Sequence, residues 1–443
     1  MRSVLAALAL LLLPLAGLPA RADEAAPAGL PATLTLEGAL QIFRARGFDL
    51  LVADAQVKSA EGDLEAASAS PNPQLSAGLT RSPGYDASKC TGCSATGFNV
   101  GLSDQGALSD LLFTRKKGLR QDVAKAALEA ARGTRADAQR TLELLLKNLF
   151  VQALQARAQI DLAEEARTSA ARTRELNEKR FALGAVSEAD VARAEVAELE
   201  AEQLREQARA ALASNRAALA VFLAVRGETP PFELDPSGLE FKVPAALSAA
   251  TTESLFESLL QTAAQHRPDL QAAARQRARA EAQLSLVQRS RWPDLTLSVG
   301  YAQQGTSSDA ISPPTLSAGV SLPLPILYRQ SGEQQKAEAD VIVQSALQQK
   351  VEAQVTADVR TAFASFSASR AQVERMDARL LGRARRARDL IEVQYQKGSA
   401  SLLDLLDAQR TFLAVNAERL ALLAGYWTAV SALEAAVSQE LRR

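Results

Sequence analysis

Two carboxylates three residues apart are the first candidates for chemistry in this chain. Asp404 and Asp407 lie in the stretch YQKGSASLLDLLDAQRTFL, which begins at Tyr395. On a helix their side chains would stand about 60° apart on one face, roughly opposite the nearby leucines. Paired acids can attract and bind cations. They can equally be a solvated helix face, on which Asp404 completes a capping box with Ser401. The local sequence leaves both interpretations open.

The only two cysteines, Cys90 and Cys93, form the motif CTGC in a stretch rich in Gly, Ser and Asp. In an exported protein a local disulfide is favoured, because oxidising compartments stabilise such bonds. Two thiolates could alternatively contact a metal, but zinc takes four ligands and no others are near in the sequence. A thioredoxin-like redox role would require a βαβ context, which this stretch lacks.

The other residue types argue against an enzyme. The single histidine, His266, precedes Arg267 and Pro268, a position typical of a neutral residue at a helix end. Serine nucleophile elbows, phosphate-binding loops and His-rich clusters do not occur in the sequence. We therefore predict no catalytic site, no metal site and no cofactor.

Residues 1–22 predict a signal peptide for export. They combine an early Arg2, an apolar run from Val4 to Leu15 and an A-x-A cleavage site that ends at Ala22. The apolar run is too short to span a membrane as a helix. The mature chain would lose Arg2 and Arg21 from 50 basic residues and none of 51 acidic ones, so its formal charge would be −3. This balance gives no reason to expect a nucleic-acid partner.

Proline placement predicts very long helices. No proline occurs between Pro83 and Pro230 or after Pro325, and residues 134–183 and 333–381 contain neither glycine nor proline. Fifty helical residues would span roughly 75 Å. Small or apolar residues recur there at three- and four-residue steps, in a narrow stripe that favours close helix pairing in a coiled coil.

The sequence contains the same plan twice. The stretch RFALGAVSEADVARAE from Arg180 aligns with QYQKGSASLLDLLDAQ from Gln394. Gly184 then matches Gly398 and Asp190 matches Asp404, in both cases 214 positions apart. The mature chain is therefore predicted to consist of two repeats, 23–245 and 246–443.

Each repeat also has two short stretches in which apolar and small polar residues alternate. This period of two predicts strands at about 73–81, 97–104, 294–302 and 315–322. A soluble sheet would bury its apolar face on the helices, whereas a transmembrane barrel would turn that face to lipid. Four strands cannot close a barrel, but several copies with four strands each can, and closure leaves no unpaired edge. In a barrel, the lipid-facing residues would be Leu297, Val299, Val100 and Val320, and the lumen-facing ones Ser298, Gly319 and Ser321.

The order of these features resembles the TolC-type outer-membrane efflux protein family. The resemblance rests on the signal peptide, on the two repeats of helix–strand–strand–long helix–turn–helix, and on the pattern Y-x-x-G-x-x-x-x-x-D-x-L-D-A that starts at Tyr395. It covers essentially the whole mature chain, about 33–440. It implies a mainly α fold with a transmembrane β part: a homotrimer with a twelve-stranded barrel, continued by a long coiled-coil tunnel.

The resemblance implies a passive exit duct in the cell outer membrane, with a large periplasmic part. Its partners would be outer-membrane lipid, a periplasmic adaptor protein and an inner-membrane pump. The second-half sequence is most similar to members that serve heavy-metal pumps of the resistance-nodulation-division (RND) class. A periplasmic coiled-coil scaffold or adaptor is the alternative function, although the compact Gly-rich β modules of adaptors are not evident.

The resemblance also assigns roles near the opening stretch. The turns at Gly184 and Gly398 would form the periplasmic tip, where the adaptor is expected to make contact. Asp404 and Asp407 would form two rings of three carboxylates at the pore constriction. Tyr395 matches a tyrosine that helps to hold the tip closed.

The chain departs from the family pattern at Ala400, where some relatives carry an arginine that forms closing links. Arg193, which the repeat aligns with Asp407, could act as the gate partner instead, or could be an ordinary solvated arginine. Cys90 and Cys93 lie between two predicted strands, so a barrel would place them in a loop at the cell surface, where a disulfide is expected.

Overall fold

The fold consists of long helices and one four-stranded sheet. The computed structural model describes residues 30–86, 88, 94–227, 231–247, 252–304 and 314–442, so the predicted signal peptide and Cys90 and Cys93 lie outside the described residues. The first half contains β1 (Thr33–Leu34), α1 (Leu36–Arg46), α2 (Phe48–Ser68), β2 (Gln74–Arg81), β3 (Thr96–Ser103), α3 (Lys116–Ala182) and α4 (Glu188–Phe222). The second half contains β4 (Glu233–Leu234), α5 (Thr252–His266), α6 (Pro268–Ser290), β5 (Thr296–Gln304), β6 (Thr315–Ser321), α7 (Ser331–Arg375), α8 (Leu381–Gln396) and α9 (Leu402–Val437).

The two halves have the same order of elements. The series α1, α2, β2, β3, α3 and α4 returns as α5, α6, β5, β6, α7 with α8, and α9. The four strands are confirmed, with bounds within two residues of those predicted. His266 ends α5 as expected, and Pro268 begins α6, where its fixed φ and missing N–H cost nothing.

The long helices agree with the proline spacing in one half and differ in the other. Helix α3 runs unbroken for 67 residues, about 100 Å. The predicted helix across 333–381 is helical throughout, but a π-helical turn at Met376–Leu380 divides it into α7 and α8. In this turn Met376 is buried and Asp377 bonds Arg419 of α9 at 2.6 Å. Contacts to a neighbouring helix accompany the turn, so the absence of Gly and Pro could not reveal it.

The main core surrounds α9. Tyr426 is fully buried, with the rings of Phe241, Phe366 and Trp427 centred 5.2–5.9 Å from its own. Burial raises the pKa of Tyr426 to about 12. Among the described residues α9 is the one helix long and apolar enough to cross a membrane, but 67% of its most apolar window is buried inside the protein. Helix α9 is therefore a core helix.

A buried ion pair fixes the chain's C-terminal end to this core. Lys147 Nζ on α3 donates to Glu434 Oε2 on α9 at 2.8 Å, and both side chains are almost fully buried. The other oxygen, Oε1, accepts bonds from the backbone N–H groups of Leu441 and Arg442 at 3.0 and 3.1 Å. Buried charge requires such full pairing, because an unpaired carboxylate would lose its hydration without compensation.

The sheet joins the two halves and has two chemically different faces. Its order is β2-β3-β5-β6, with every pair antiparallel. The register places apolar residues opposite apolar residues, as in the row Ala77, Val100, Tyr301, Leu316. The next row, on the other face, is Ser76, Gly101, Gly300, Ser317.

The apolar face of the sheet is not covered by helices. Leu79 is 83% exposed and Leu316 is 86% exposed. A soluble sheet would bury this face, as the alternative interpretation of the sequence required. In the described structure it stays uncovered, which is the arrangement that a lipid-facing surface needs.

A polar network fastens the base of the sheet to the long helices. Asp104 accepts bonds from the N–H groups of Gly106 and Leu297, at 3.1 and 2.8 Å, and so links the halves. Lys116, at the start of α3, donates to Asp294 Oδ2 at 2.9 Å. These bonds therefore fix the orientation of the strands relative to the long helices.

Candidate functional site at the helical tip

Two equivalent turns form one end of the helical layer. The first hairpin (α3–α4) turns at Gly184 with φ of +72°, and the second hairpin (α8–α9) turns at Gly398 with φ of +77°. In each turn an N–H just past the glycine bonds a carbonyl five residues back, from Ala185 to Arg180 at 2.8 Å and from Ser399 to Gln394 at 2.9 Å. This is the Schellman geometry, whose left-handed residue favours glycine. The two predicted tip turns are therefore structurally matched.

Each turn is followed by a complete capping box. Ser401 Oγ accepts the Asp404 N–H at 3.2 Å and donates to Asp404 Oδ2 at 2.7 Å, while the Ser401 N–H donates to the same oxygen at 3.0 Å. These donors, the hydroxyl first, lower the pKa of the Asp404 carboxyl. Ser187 and Asp190 form the same box at the start of α4. The capping interpretation is therefore correct for Asp404, whose carboxylate is nevertheless exposed.

Asp407 has no comparable local role. Its side chain is exposed and makes no hydrogen bond or salt bridge among the described residues. The helix face opposite the two acids is buried: Leu402, Leu405 and Leu406 pack with Tyr395 in a small cluster at the tip. As the sequence predicted, Asp404 and Asp407 lie on one side of α9, facing away from the core of their own protomer.

Tyr395 fastens the second hairpin to the first. The ring is 4% exposed, and its hydroxyl donates to Asn177 Oδ1 on α3 at 2.7 Å. The Arg180 guanidinium lies 4.7 Å from the ring centre, and its Nη2 donates to the carbonyls of Tyr395 and Gln396 at 3.2 and 3.3 Å. We call this arrangement of Tyr395, Asn177 and Arg180 the hairpin latch.

The sequence did not identify two members of this latch. Asn177 is completely buried, and its Nδ2 donates back to the Thr173 carbonyl at 2.8 Å. In the sequence, Asn177 could have been recognised as a polar residue that continues the Ala-rich stripe of α3, which includes Ala163, Ala166 and Ala170. A lone asparagine in a coiled-coil stripe commonly fixes register, and here it receives a partner hydroxyl.

Arg193 is not brought to Asp407 within the protomer. Its guanidinium is 3.4 Å from Asp190, one helical turn away, and its side chain is 59% exposed. Such exposed pairs contribute about 0–1 kcal/mol. Ala400 is partly buried against the tip cluster. The structure thus gives Arg193 a surface position and leaves its role as gate partner without a contact inside one copy.

The described residues of one protomer contain no complete metal site. There, no group of three or more His, Cys, Asp or Glu side chains could hold a metal ion. The two tip carboxylates can contribute to a multivalent cation site only if several copies bring theirs together.

Removal of the Tyr395 hydroxyl is expected to lower stability at the tip. Tyr395→Phe leaves Asn177 Oδ1 buried without its partner, which costs about 1–3 kcal/mol. Tyr328→Phe is the control, because that hydroxyl bonds Glu333 at an exposed site. Hydrogen exchange of α8 and the tip turns measures the effect. Equal exchange in Tyr395→Phe and the wild type would contradict the latch, and Asn177→Leu with Tyr395→Phe should recover much of the loss.

Comparisons with known proteins agree with this geometry. The family model described as Outer membrane efflux protein matches residues 39–225 and 259–439. The cobalt-zinc-cadmium resistance protein CzcC of Cupriavidus metallidurans is 27% identical over 403 residues, which span 90% of this chain and 89% of CzcC. The pyoverdine export outer membrane protein OpmQ of Pseudomonas aeruginosa is 27% identical over 412 residues, 86% of this chain and 80% of OpmQ.

A solved structure confirms the fold. The Campylobacter jejuni CmeC outer membrane channel superposes with a TM-score of 0.74 at 17% sequence identity, over 92% of this chain and 86% of CmeC. The family model accounts for both repeats, including the two tip turns and the long helices. The resemblance noted in the sequence is confirmed, and the chain belongs to the outer membrane efflux protein family.

Proposed function

We propose that three copies of this chain form the exit duct of a tripartite efflux system. Family membership places the chain in the outer membrane, with a periplasmic part. The observation that carries the proposal is the sheet, which has an uncovered apolar face, a polar face of small side chains and two free edges. A periplasmic scaffold would have no use for such a face.

The sheet can close into a barrel without changing its pairing. Strands β2 and β6 are the edges of the described sheet, and they run in opposite directions because three successive antiparallel pairings connect them. The edge β6 of one copy can therefore pair antiparallel with β2 of the next. Two copies would give eight strands, which leave an interior just wide enough for side chains. Three copies, with twelve strands, are the smallest closed set that leaves an open duct.

The small residues of the polar face suit a lumen. Gly78, Gly101, Gly300 and Gly319 all belong to this face, alternating with serine and other polar residues. An added Cβ at Gly101 or Gly300 would come within 2.8 Å of a serine hydroxyl on the neighbouring strand. Small side chains therefore allow close packing on this face and keep the passage wide.

The tip is proposed to meet the periplasmic adaptor and to form the constriction. Leu183 and Leu403, beside the two turns, are exposed apolar residues. They offer contact area to an adaptor that would connect the duct to an inner-membrane pump of the RND class. Transport through the duct is passive, and the pump supplies the energy.

The substrates of the two relatives differ, although both are 27% identical to this chain. One is named for cobalt-zinc-cadmium resistance and the other for pyoverdine export. We propose heavy-metal cations as the cargo here, because Asp404 and Asp407 would give the constriction a negative field that favours cations. A siderophore or another organic molecule is the second candidate.

Cell fractionation tests the duct. We expect the full-length protein in the sarkosyl-insoluble outer membrane, and a trimer by native mass spectrometry after detergent extraction. A soluble periplasmic monomer would contradict the proposal. Sensitivity to zinc, cobalt and cadmium after deletion of the gene, restored by the wild-type gene, tests the cargo separately. A deletion strain with unchanged metal sensitivity would leave the duct intact and reject the metal assignment.

A further inference from the structure

Two helices form the outer edges of the helical layer near the tip. Helix α3 packs on α9 and so joins the two hairpins, while α4 packs along its length on α3 and α8 packs on α9. By the extent of this packing the order is α4, α3, α9, α8, and near the tip side chains of α8 also reach α3 and those of α9 reach α4, as in Tyr395–Asn177 and Arg410–Glu200. Each edge helix leaves one face uncovered in the described protomer.

The uncovered face of α8 is basic with an apolar centre. Four of its residues, together with Arg379 in the preceding π turn and Lys397 just after the helix ends, recur at alternating four- and three-residue steps, and all six are exposed: Arg379, Arg383, Arg386, Leu390, Val393 and Lys397. The opposite face carries the buried Ala384 and Tyr395. The four basic side chains make no hydrogen bond or salt bridge among the described residues. Such spacing is typical of a helix that pairs with another helix in a coiled coil.

The uncovered face of α4 has the same spacing and an acidic flank. Its exposed residues are Ala192, Val196, Leu199, Gln203, Glu206 and Ala210, opposite the buried Ala194, Ala201 and Ala208. Glu188, Glu195 and Glu202 recur every seven residues along one flank of this face. None of these three carboxylates makes a salt bridge in the described part of the chain. The two edges of one protomer thus have complementary charge.

The contacts between the two hairpins fix the positions of these two faces along the helix axes, relative to the tip. Tyr395 lies three residues from Gly398, and its partner Asn177 lies seven from Gly184. Arg410 lies twelve residues past Gly398, and its partner Glu200 lies sixteen past Gly184. The second hairpin therefore ends about four residues, or about 6 Å, before the first. Rotation about a three-fold axis along the tunnel does not change the position of a residue along that axis. The same offset of about four residues therefore holds between the hairpins of neighbouring copies.

This offset brings complementary residues to the same level. Counted from the glycine of its own turn, Leu390 is at position eight and Val196 at position twelve. Arg383 and Glu202 are at positions fifteen and eighteen. Arg379 with Glu206 and Lys397 with Glu188 show the same offset of three. Glu206 also pairs with Arg205 and Arg209 of its own helix, at 2.9 and 3.1 Å, so Arg379 would join an existing ion-pair cluster. The apolar centres and three opposite-charge pairs are thus aligned within about one residue.

We propose that α8 of one copy and α4 of the next form an antiparallel coiled-coil seam, with Leu390 against Val196 and basic residues of α8 facing acids of α4. The occupant of each uncovered face is a second copy of this chain, so the inference rests on the proposed trimer. The seam holds the hairpin that carries Asp404 and Asp407. It supplies links between copies in a chain that has alanine at 400, where some relatives have a closing arginine.

Cross-linking between copies tests the seam. In a Cys90→Ser, Cys93→Ser background, Val196→Cys with Leu390→Cys should give a covalent trimer ladder with a short bifunctional thiol reagent. The control is Val196→Cys with Gly382→Cys, because Gly382 is exposed on α8 but lies eight residues, about 12 Å, further up the helix. A trimer that cross-links equally in both, or in neither, would overturn the seam and leave the duct standing. A chain that forms no trimer would overturn both.

Charge reversal tests the ion pairs. Arg379→Glu with Arg383→Glu should lower the temperature at which the trimer dissociates in mild detergent, and Glu202→Arg with Glu206→Arg should restore it. The reference is Arg385→Glu, an exposed arginine on a different side of α8. A loss that the second pair of substitutions does not restore, or no loss at all, would reject the pairing. Raised salt should also lower the dissociation temperature of the wild-type trimer, as the two Arg→Glu substitutions do, because salt screens exposed ion pairs.

Discussion

Arginine in place of Val299 is expected to prevent stable insertion of the barrel, whereas arginine in place of Ser298 is expected to be tolerated. Val299 lies on the apolar face of the sheet, between Leu102 and Ala318 on the neighbouring strands. An arginine on the lipid face costs about 2–4 kcal/mol at the bilayer midplane, and every copy in the trimer would bear this cost. Ser298 lies on the other face, opposite Gly319, where a charged side chain would reach the aqueous lumen.

The measurement is urea unfolding of the two variants reconstituted in lipid vesicles, with the midpoint compared to that of the wild type. Cysteine labelling gives an independent reading in the Cys90→Ser, Cys93→Ser background. A water-soluble thiol reagent should modify Ser298→Cys readily and Val299→Cys poorly in intact membranes. If both variants unfold alike, or if both cysteines react alike, the assignment of the two faces is wrong.

The strands show what could be predicted from the sequence. The alternation of apolar and small polar residues is a local property, so it located all four strands and both faces. The pairing of β3 with β5 could not be read in the same way, because it joins residues about 200 positions apart, such as Val100 and Tyr301. The uncovered apolar face needed the three-dimensional structure, since the same pattern suits a sheet packed on helices.

The helices show the same limit in another form. The stretch 134–183, which lacks glycine and proline, marked the second part of α3 but not its start, because the helix begins at Lys116 and continues through Gly118 and Gly133. The π turn before α8 leaves no such mark, since Met376 and Asp377 are ordinary helix residues whose contacts lie on α9. The partner of Tyr395 was equally hidden. The side chain that meets its hydroxyl, Asn177, is 218 positions away.

Asp404 illustrates how one residue can fit two interpretations. The sequence offered a capping box or a carboxylate at a constriction, and the structure contains the box. Asp190 forms the same box on the first hairpin. Substitution of Asp404 therefore removes a helix cap as well as a carboxylate at the aperture. Substitution of Asp190 removes the equivalent cap on the other hairpin, so it is the matched control.

Replacement of both Asp404 and Asp407 by alanine is expected to abolish most of the cation selectivity of the duct and its block by multivalent cations. In a trimer these residues would place six carboxylates around one aperture, and a divalent or trivalent cation would relieve their repulsion. Without them, the blocking concentration should rise at least about tenfold, which corresponds to a loss of about 1.4 kcal/mol of cation binding. Folding should change little, because the lost cap contributes about 1 kcal/mol.

Single-channel recording in planar bilayers decides the matter, with Asp190→Ala as the control that loses an equivalent cap on the other hairpin. We expect wild-type selectivity and block in Asp190→Ala, and the loss of both in the double variant. Block should also weaken as the pH falls through the pKa of Asp404, since a protonated carboxyl no longer attracts cations. The Ser401 donors lower the pKa of Asp404, and neighbouring carboxylates in a ring would raise it. Unchanged cation block in the double variant would reject the aperture role of both aspartates, and the barrel and the seam would remain to be judged on their own tests.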